Sequence, residues 1–310
     1  MNIGYVGIGS MGGALAARLR LTHPVTVYDR SEAVVARLRD RGATAARSLA
    51  EVAERCDTIF LCLPTSVQVR EALLGPGGLA PALRPGSIVI DQTTGDPNET
   101  RALAAELAGR GVDLVDAPVS GGIAGAEAGT IAIMVGADEA RFARVLPILR
   151  AISPNVFHAG GVGSGHVVKL VNNLLSCAQR LLSFEAMALA AKNGVDPKTA
   201  TAIFVAGGGR NAYLEKMMGP RILEGKLNVG FTLGLAHKDV RLACQLGIDS
   251  EVPMFFGNLA RELYQSCIAE MGRDAQVDTV GLMVDRLSGT AVVPRENDLS
   301  GADSPAEVDA

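Results

Sequence analysis

The chain has 310 residues, of which 48% are hydrophobic and 20% charged, and its formal net charge is −4. This apolar content is enough for a packed core, so disorder is excluded for most of the length. The slightly acidic balance and the scarcity of aromatic residues (eight Phe, four Tyr and no Trp) argue against a nucleic-acid-binding surface, which needs basic patches and stacking rings.

The first part of the chain alternates short apolar runs with helical patterns. Strands are predicted at Ile3–Val6, Val25–Tyr28, Thr58–Leu63, Ile88–Asp91, Leu114–Asp116 and Ile131–Val135. Helices are predicted at Ser10–Leu21, Glu32–Arg41, Pro97–Gly109 and Asp138–Ile152. Strands that alternate with helices of this length predict an α/β fold with a doubly wound, mainly parallel sheet.

After about residue 160 only helical patterns follow. They cover Val167–Lys192, Pro197–Val205, Leu235–Leu246, Pro253–Glu270 and Val277–Leu287. The last stretch, Ala291–Ala310, is rich in Pro, Asp, Glu, Ser and Gly and is predicted to be a disordered tail. We therefore predict an α/β domain at 1–162, an all-α domain at 163–290 and a tail at 291–310.

Glycine is over-represented, with 36 residues, about 12% of the chain against a usual ~7%. Nineteen of them fall in five clusters, at 4–13, 75–78, 121–129, 160–165 and 207–209. Glycine used in this way indicates tight turns or backbone brought close to a ligand. The segment 75–78 is interpreted as a surface turn, and the role of Gly207–Arg210 stays open.

The first cluster, Gly7-Ile8-Gly9-Ser10-Met11-Gly12, matches G-x-G-x-x-G directly after a predicted strand and at the start of a helix. In a dinucleotide-binding fold the three glycines permit the tight turn, the approach of a pyrophosphate and close packing of the helix. Asp29, at the end of the next strand, can bind ribose hydroxyls, which favours NAD. Arg30 beside it can bind a 2′-phosphate, so NADP stays open. The alternative is an ordinary strand–turn–helix.

Two further segments carry candidate site residues. The run Asp116–Gly122 ends a strand, where such sheets place ligands, and the Ser120 hydroxyl with the following backbone N–H groups suits a carboxylate. The alternative is a plain turn. Downstream, Lys169 and Asn173 are four residues apart and share one face of the long helix; the alternative is a lysine that reaches solvent.

Four histidines and five cysteines form no pattern typical of a metal site, and no metal is predicted. The histidines are His23, His158, His166 and His237, and the two that lie near the site in sequence, His166 and His237, are predicted to be structural. The odd number of cysteines argues against a disulfide framework. No secretory signal and no membrane span are recognised, so a cytoplasmic protein is predicted.

Four motifs together resemble one family. They are GxGxMG at 7–12, DAPVSGG at 116–122, GxGxxxKxxNN at 163–173, and Lys238-Asp239. Over about residues 1–290 the sequence resembles the β-hydroxyacid dehydrogenases. The resemblance implies a Rossmann-type domain followed by an all-helical domain built on a long interdomain helix.

The resemblance also implies residue roles. Lys169 matches the catalytic lysine, and Asn173 matches the asparagine that orients the substrate. The positions that match the substrate-carboxylate loop are Ser120, Gly121 and Gly122. Lys238 matches a lysine that reaches both cofactor and substrate. The remaining positions along the cofactor are Gly7, Ile8, Gly9, Ser10, Met11, Gly12, Asp29, Arg30, Leu63, Pro64 and Thr94.

The implied activity is interconversion of a small 3-hydroxy acid, such as 3-hydroxyisobutyrate, and its semialdehyde with NAD or NADP, in a homodimer or homotetramer. A lysine can serve as the general acid and base of such a reaction, and its pKa is then expected to be lowered by burial and by cationic neighbours. Ile123 and Ala124 favour a substrate whose far end is small and apolar. The alternatives are a reductase of tartronate or succinic semialdehyde (glyoxylate-type), or a dinucleotide-binding protein without catalysis.

Overall fold

A computed structural model describes residues 2–294. The internal contacts divide the chain after Lys169 into two compact units. We call them the N-terminal unit and the C-terminal unit and describe each by itself.

The N-terminal unit contains one sheet of nine strands. They are β1 (Ile3–Val6), β2 (Val25–Tyr28), β3 (Thr44–Ala45), β4 (Thr58–Leu61), β5 (Ile88–Asp91), β6 (Asp113–Asp116), β7 (Val119–Ser120), β8 (Ala132–Gly136) and β9 (Val156–Gly160). The order in the sheet is β3-β2-β1-β4-β5-β6-β8-β7, and β9 pairs with β8. All pairs are parallel except β6–β8 and β7–β8.

The central strands explain why this sheet is covered on both faces. Every residue of β1, β4 and β5 is buried, and strands of a parallel sheet are near-continuous apolar runs because helices cover both faces. The helices are α1 (Ser10–Arg20), α2 (Glu32–Arg39), α3 (Leu49–Arg55), α4 (Ser66–Leu74), α5 (Pro97–Ala108), α6 (Gly122–Ala128) and α7 (Glu139–Arg150). The predicted doubly wound, mainly parallel sheet is confirmed.

The sequence did not predict the short strands β3, β7 and β9 or the helices α3, α4 and α6. Strands β3 and β7 have two residues each, too few to show alternation. The helix α6 has the sequence GIAGAEA, and two glycines in seven residues hide its helical pattern. The main consequence is that Ser120, which the sequence places in a run following a strand, itself ends the short strand β7.

The C-terminal unit is helical. The elements are α8 (Ser164–Lys192), whose first turns precede the division after Lys169, α9 (Pro197–Ala206), α10 (Leu233–Asp249), α11 (Phe255–Met271) and α12 (Val280–Ser288), with single turns at Leu214–Met218, Ile222–Glu224 and Val277–Thr279. Between residues 170 and 294 the structure contains no strand, only one bridge between Thr232 and Gln276. The predicted all-helical character is confirmed.

A buried ion pair joins α8 to the rest of this unit. The Arg180 Nε donates to Asp278 Oδ1 at 2.7 Å, and the Tyr213 hydroxyl donates to the same oxygen at 2.8 Å. Burial raises the pKa of Tyr213 above its usual value.

By length and composition α8 could cross a membrane, although no such stretch was predicted from the sequence. Core helices of soluble proteins pass the same test, and Cys177 and Phe184 on α8 belong to the helical core, with Arg180 buried as well.

The predicted tail starts too early. Val292 and Val293 are buried in the helical core. Asp285 fixes them, because its carboxylate accepts the Thr290 hydroxyl at 2.6 Å and the N–H groups of Val292 and Val293 at 2.9 Å each. The composition of the whole segment concealed these two apolar residues. The rest of the predicted tail, 295–310, lies outside the described residues, and the limits 1–162 and 163–290 stay predictions.

Replacement of Asp285 by Ala is expected to lower the free energy of unfolding by about 2–4 kcal/mol. The carboxylate is buried, and its loss leaves two backbone N–H groups and one hydroxyl without their acceptor. Thermal and urea unfolding measure the effect. Asp40→Ala is the control, because its side chain is 74% exposed and surface ion pairs contribute little. Equal stability of the two variants would contradict this account.

Candidate active site

The glycine loop has the geometry that close approach of a phosphate requires. Gly7 follows β1 with φ +83°, and its N–H donates to the Tyr28 carbonyl at 3.0 Å. A Cβ at Gly7 or Gly12 would collide with backbone, at the Cys62 and Gly7 carbonyl oxygens respectively, whereas a Cβ at Gly9 would meet nothing within 4 Å. The first and third glycines are therefore required by the fold, and the second leaves open space beside the helix.

Helix α1 begins at Ser10 without a side-chain cap, because Gly9 stands at its N-cap. Its first N–H groups therefore form a site for an anion, as at other helix N-termini. Met11 is half-buried and Ser10 exposed. The predicted loop Gly7–Gly12 thus offers backbone donors and room for a pyrophosphate.

Asp29 holds the loop in place. It follows β2, and its carboxylate accepts the Ile8 N–H at 2.9 Å and the Ser31 N–H at 3.0 Å. A carboxylate has about four acceptor positions, so capacity remains for ribose hydroxyls. Arg30 beside it is exposed.

The next two strand ends are tied to each other. The Leu63 N–H, after β4, donates to Thr93 Oγ1 at 3.1 Å, and the Thr93 N–H donates to Asp91 Oδ1 at 2.9 Å. Pro64 is exposed and Thr94 half-buried. Since β1, β2, β4 and β5 are parallel neighbours, these residues lie with the glycine loop at the carboxyl edge of the sheet, where such folds bind ligands.

The loop that was predicted to hold a carboxylate connects β7 to α6. Ser120 ends β7, and Gly121 and Gly122 follow with φ of +142° and +69°. Both values lie where a side chain is strained, so this turn requires glycine. A Cβ at Gly122 would meet nothing within 4 Å, which leaves space beside its backbone.

The start of α8 is fixed by a buried carboxylate. Asp116, the last residue of β6, accepts the Gly163 N–H at 2.6 Å and the His166 N–H at 2.8 Å. Burial raises the pKa of Asp116, and His166 and these two N–H groups oppose the rise. The helix therefore begins at Ser164 rather than at the predicted Val167. Lys169 follows within the next turn and is only 8% exposed, so it does not extend into solvent.

In the C-terminal unit a buried aspartate joins two predicted site residues. Asn173 Nδ2 donates to Asp239 Oδ2 at 2.7 Å, and Lys238 Nζ lies 3.1 Å from Asp239 Oδ1. Asp239 belongs to the Lys238-Asp239 motif, but no role was predicted for it. An acid directly after the matched lysine was the available signal, but its contact with Asn173, 66 positions away, depends on how the helices pack.

His237, beside this group, has no partner of the kind a metal site needs. Burial, with Arg273, Arg241 and Arg261 nearby, lowers the pKa of His237 below its usual value. Among residues 2–294 no group of His, Cys, Asp and Glu could hold a metal ion.

These features define a class of protein: a dinucleotide-dependent oxidoreductase. Residues 2–161 match the model of the NAD-binding domain of 6-phosphogluconate dehydrogenase, and residues 163–282 match that of the NAD-binding domain of NADP-dependent 3-hydroxyisobutyrate dehydrogenase.

Individual relatives agree along nearly the whole chain. The 2-(hydroxymethyl)glutarate dehydrogenase of Eubacterium barkeri is 37% identical over 94% of this chain and 97% of its own length. The 3-hydroxyisobutyrate dehydrogenase of Pseudomonas aeruginosa is 34% identical over 85% of this chain and 91% of its own. The solved structure of Mycobacterium tuberculosis 3-hydroxyisobutyrate dehydrogenase with L-serine is 27% identical, covers 91% of this chain and 98% of its own, and has a TM-score of 0.83.

The chain therefore belongs to the β-hydroxyacid dehydrogenase family, and it is an NAD(P)-dependent 3-hydroxyacid dehydrogenase. The glycine loop fits the dinucleotide, since its backbone donors and the space beside Gly9 are what a pyrophosphate needs.

Proposed function

We propose that the substrate is a 3-hydroxy acid with a small substituent on its second carbon, of the 3-hydroxyisobutyrate type, and that Lys169 is the general acid and base. The observation that carries the proposal is the buried residue Lys169 on a helix whose first turn is anchored to the end of β6. That strand end lies four residues before Ser120, so the start of α8 and the carboxylate loop are both attached to the end of β6.

The residues divide the chemistry among them. The dinucleotide, when bound, supplies or accepts the hydride. Lys169 donates a proton to the carbonyl oxygen during reduction and takes one from the hydroxyl during oxidation. The Ser120 hydroxyl with the Gly121 and Gly122 N–H groups holds the substrate carboxylate, which fixes the reacting carbon.

Asn173 and Lys238 have supporting roles in this proposal. The Asn173 amide orients the substrate hydroxyl, and Asp239 restricts the rotation of that amide through the 2.7 Å hydrogen bond. Lys238, paired with the same carboxylate, supplies positive charge for the acidic substrate or the cofactor. Removal of Asp239 is therefore expected to affect two site residues at once.

The identity of the substituent is supported by relatives and by α6. The relatives from Eubacterium barkeri and Pseudomonas aeruginosa are named for 2-(hydroxymethyl)glutarate and 3-hydroxyisobutyrate. Both acids carry a hydroxymethyl group on the carbon next to a carboxylate. L-serine, named with the solved Mycobacterium tuberculosis structure, has the same arrangement. Ile123 and Ala124, directly after the carboxylate loop, are apolar. They favour a methyl group over the second carboxylate of a hydroxymethylglutarate.

We also propose NAD as the preferred cofactor. The Asp29 carboxylate stands after β2, where it accepts two backbone N–H groups and where a 2′-phosphate would meet its negative charge. Arg30 is the feature that favours NADP instead.

The proposal predicts a specific outcome of a spectrophotometric screen. The purified chain is assayed with NAD and NADP against 3-hydroxyisobutyrate, L-serine, 2-(hydroxymethyl)glutarate, glycerate and 4-hydroxybutyrate. We expect the highest kcat/KM with 3-hydroxyisobutyrate and NAD. Preference for glycerate or 4-hydroxybutyrate would instead support the tartronate or succinic semialdehyde alternative. Cofactor binding without turnover of any hydroxy acid would support the non-catalytic alternative.

We propose a homo-oligomer as well. On α8 the residues Leu175, Leu182 and Leu189 recur every seven positions and are 57%, 65% and 68% exposed. A row of exposed leucines on one helix is typical of a protein–protein interface. Light scattering is expected to give a mass of at least twice 32.1 kDa, and a monomer at micromolar concentration would contradict it.

A further inference from the structure

A buried cluster at the carboxyl ends of β5 and β6 takes no direct part in the proposed transfer of hydride and proton. It consists of Asp91, Thr100, Asp116 and His166, all less than 3% exposed. All four belong to the N-terminal unit. We call this group the aspartate–histidine clamp.

The clamp replaces the normal N-terminal cap of α8. In a capping box one side chain at the N-cap and one at the third helical position satisfy each other's backbone N–H groups. Here a glycine, Gly163, precedes the helix and has no side chain. The Asp116 carboxylate, from a different element, accepts both the Gly163 and the His166 N–H groups.

The imidazole of His166 makes the second connection. Its Nδ1 lies 2.9 Å from Thr100 Oγ1, whose hydroxyl also donates to the Asp96 carbonyl at 3.0 Å. Its Nε2 lies 4.0 Å from Asp91 Oδ2. Asp91 and Asp116 are direct partners in the β5–β6 register, so His166 lies at two neighbouring strand ends. Its backbone N–H bonds to Asp116 at the end of β6, and its imidazole bonds to Thr100 on α5 and lies near Asp91 at the end of β5.

Three glycines make room for this arrangement. A Cβ at Gly136 would collide with the Asp116 carboxylate, one at Gly165 would collide with the Met134 carbonyl oxygen, and one at Gly95 would lie 3.1 Å from His166 Cε1. Cores are packed without slack, so the helix start cannot shift without moving β6 or the β5–α5 connection. The start of α8 is therefore held rigidly against β6 and the β5–α5 connection.

Two candidate site residues, Lys169 and Ser120, follow closely after members of the clamp in the sequence. Lys169 lies three residues after His166 on the same face of α8, and Ser120 lies four residues after Asp116. We propose that Asp116 and His166 are positioning residues that set the separation between the substrate carboxylate and the Lys169 amine. With this separation, the hydroxyl of a 3-hydroxy acid reaches the Lys169 amine when its carboxylate is bound, whereas the hydroxyl of a 4-hydroxy acid does not. This inference rests on the proposed role of Lys169.

The test compares two substrates in matched variants. The readout is the ratio of kcat/KM for 3-hydroxyisobutyrate to that for 4-hydroxybutyrate, together with the NADH Kd. Asp116→Asn leaves an acceptor for only one of the two N–H groups, and Thr100→Val removes the hydroxyl beside His166. We expect each variant to lower the ratio at least ~10-fold. The Kd for NADH is expected to stay unchanged, because the glycine loop is not touched.

Thr201→Val is the control for Thr100→Val. Both threonines are buried helical residues whose hydroxyls donate to the carbonyl four positions earlier, at 2.8 Å in Thr201 and 3.0 Å in Thr100. Only Thr100 contacts His166. We expect Thr201→Val to lower Tm to a similar extent and to leave the substrate ratio unchanged.

The outcomes separate this inference from the proposed function. A ratio that is unchanged in Thr100→Val and Asp116→Asn, while Lys169→Ala is inactive, would overturn the clamp and keep the catalytic lysine. Full activity of Lys169→Ala would overturn both. If Asp116→Asn does not fold, the substrate ratio of Thr100→Val tests the inference, since valine has nearly the shape of threonine.

Discussion

Replacement of Lys169 by Ala is expected to lower kcat for 3-hydroxyisobutyrate oxidation by at least ~10²-fold and to leave the Kd for NADH unchanged. The Lys169 amine is the group that we propose for proton transfer, and Lys169 is a buried residue of α8. The dinucleotide, in contrast, is expected to bind at the glycine loop after β1. Steady-state kinetics and fluorescence titration with NADH measure the two quantities separately.

Two further variants make this result specific. Lys192→Ala changes the same residue type at the exposed end of the same helix and is expected to keep full activity. Lys169→Arg keeps the positive charge but cannot release its proton at neutral pH, so we expect it to stay impaired in oxidation. An active Lys169→Ala would refute the general acid and base role.

The fold could be predicted from the sequence where apolar runs are long. Strands such as Ile88–Asp91 are fully buried, and burial on both faces produces an uninterrupted apolar run that a single sequence reveals. Strands β3 and β7 do not give such a signal, because two residues cannot show a period. Val292 and Val293 were predicted to belong to the tail for a different reason. Their N–H groups are bound by the Asp285 carboxylate, and composition does not reveal such a contact.

The candidate site was predictable where motif and strand end coincide. The glycine loop, Ser120 and Lys169 all follow from local sequence, because each stands at a fixed distance from a strand end or a helix start. Asp116, His166 and Asp239 could not be found in this way. Their roles consist of contacts with distant segments, as in the hydrogen bond from the Gly163 N–H to Asp116, 47 positions away.

The glycine loop gives the second large expected effect, and it separates binding from folding. We expect Gly9→Ala to weaken NADH binding about 5- to 150-fold, as an overpacking cost of about 1–3 kcal/mol implies, with Tm unchanged. A Cβ at Gly9 meets no protein atom within 4 Å and its φ is −59°, so alanine is tolerated by the backbone. The methyl group instead occupies space that the pyrophosphate needs. Equilibrium titration with NADH and thermal unfolding without cofactor measure the two effects.

Gly12→Ala is the matched comparison within the same motif. Its Cβ would collide with the Gly7 carbonyl oxygen and lie 3.1 Å from the Cys62 Cβ, so the strain falls on the protein itself. We expect this variant to lose Tm as well as cofactor affinity, since α1 must move away from β1 and β4 to accommodate the methyl group. If Gly9→Ala bound NADH normally, the pyrophosphate would not lie beside Gly9. If both variants lost stability equally, Gly9 would be needed for packing as Gly12 is. The contrast tests the difference between a glycine needed for packing and a glycine needed for a ligand, which the sequence motif by itself does not distinguish.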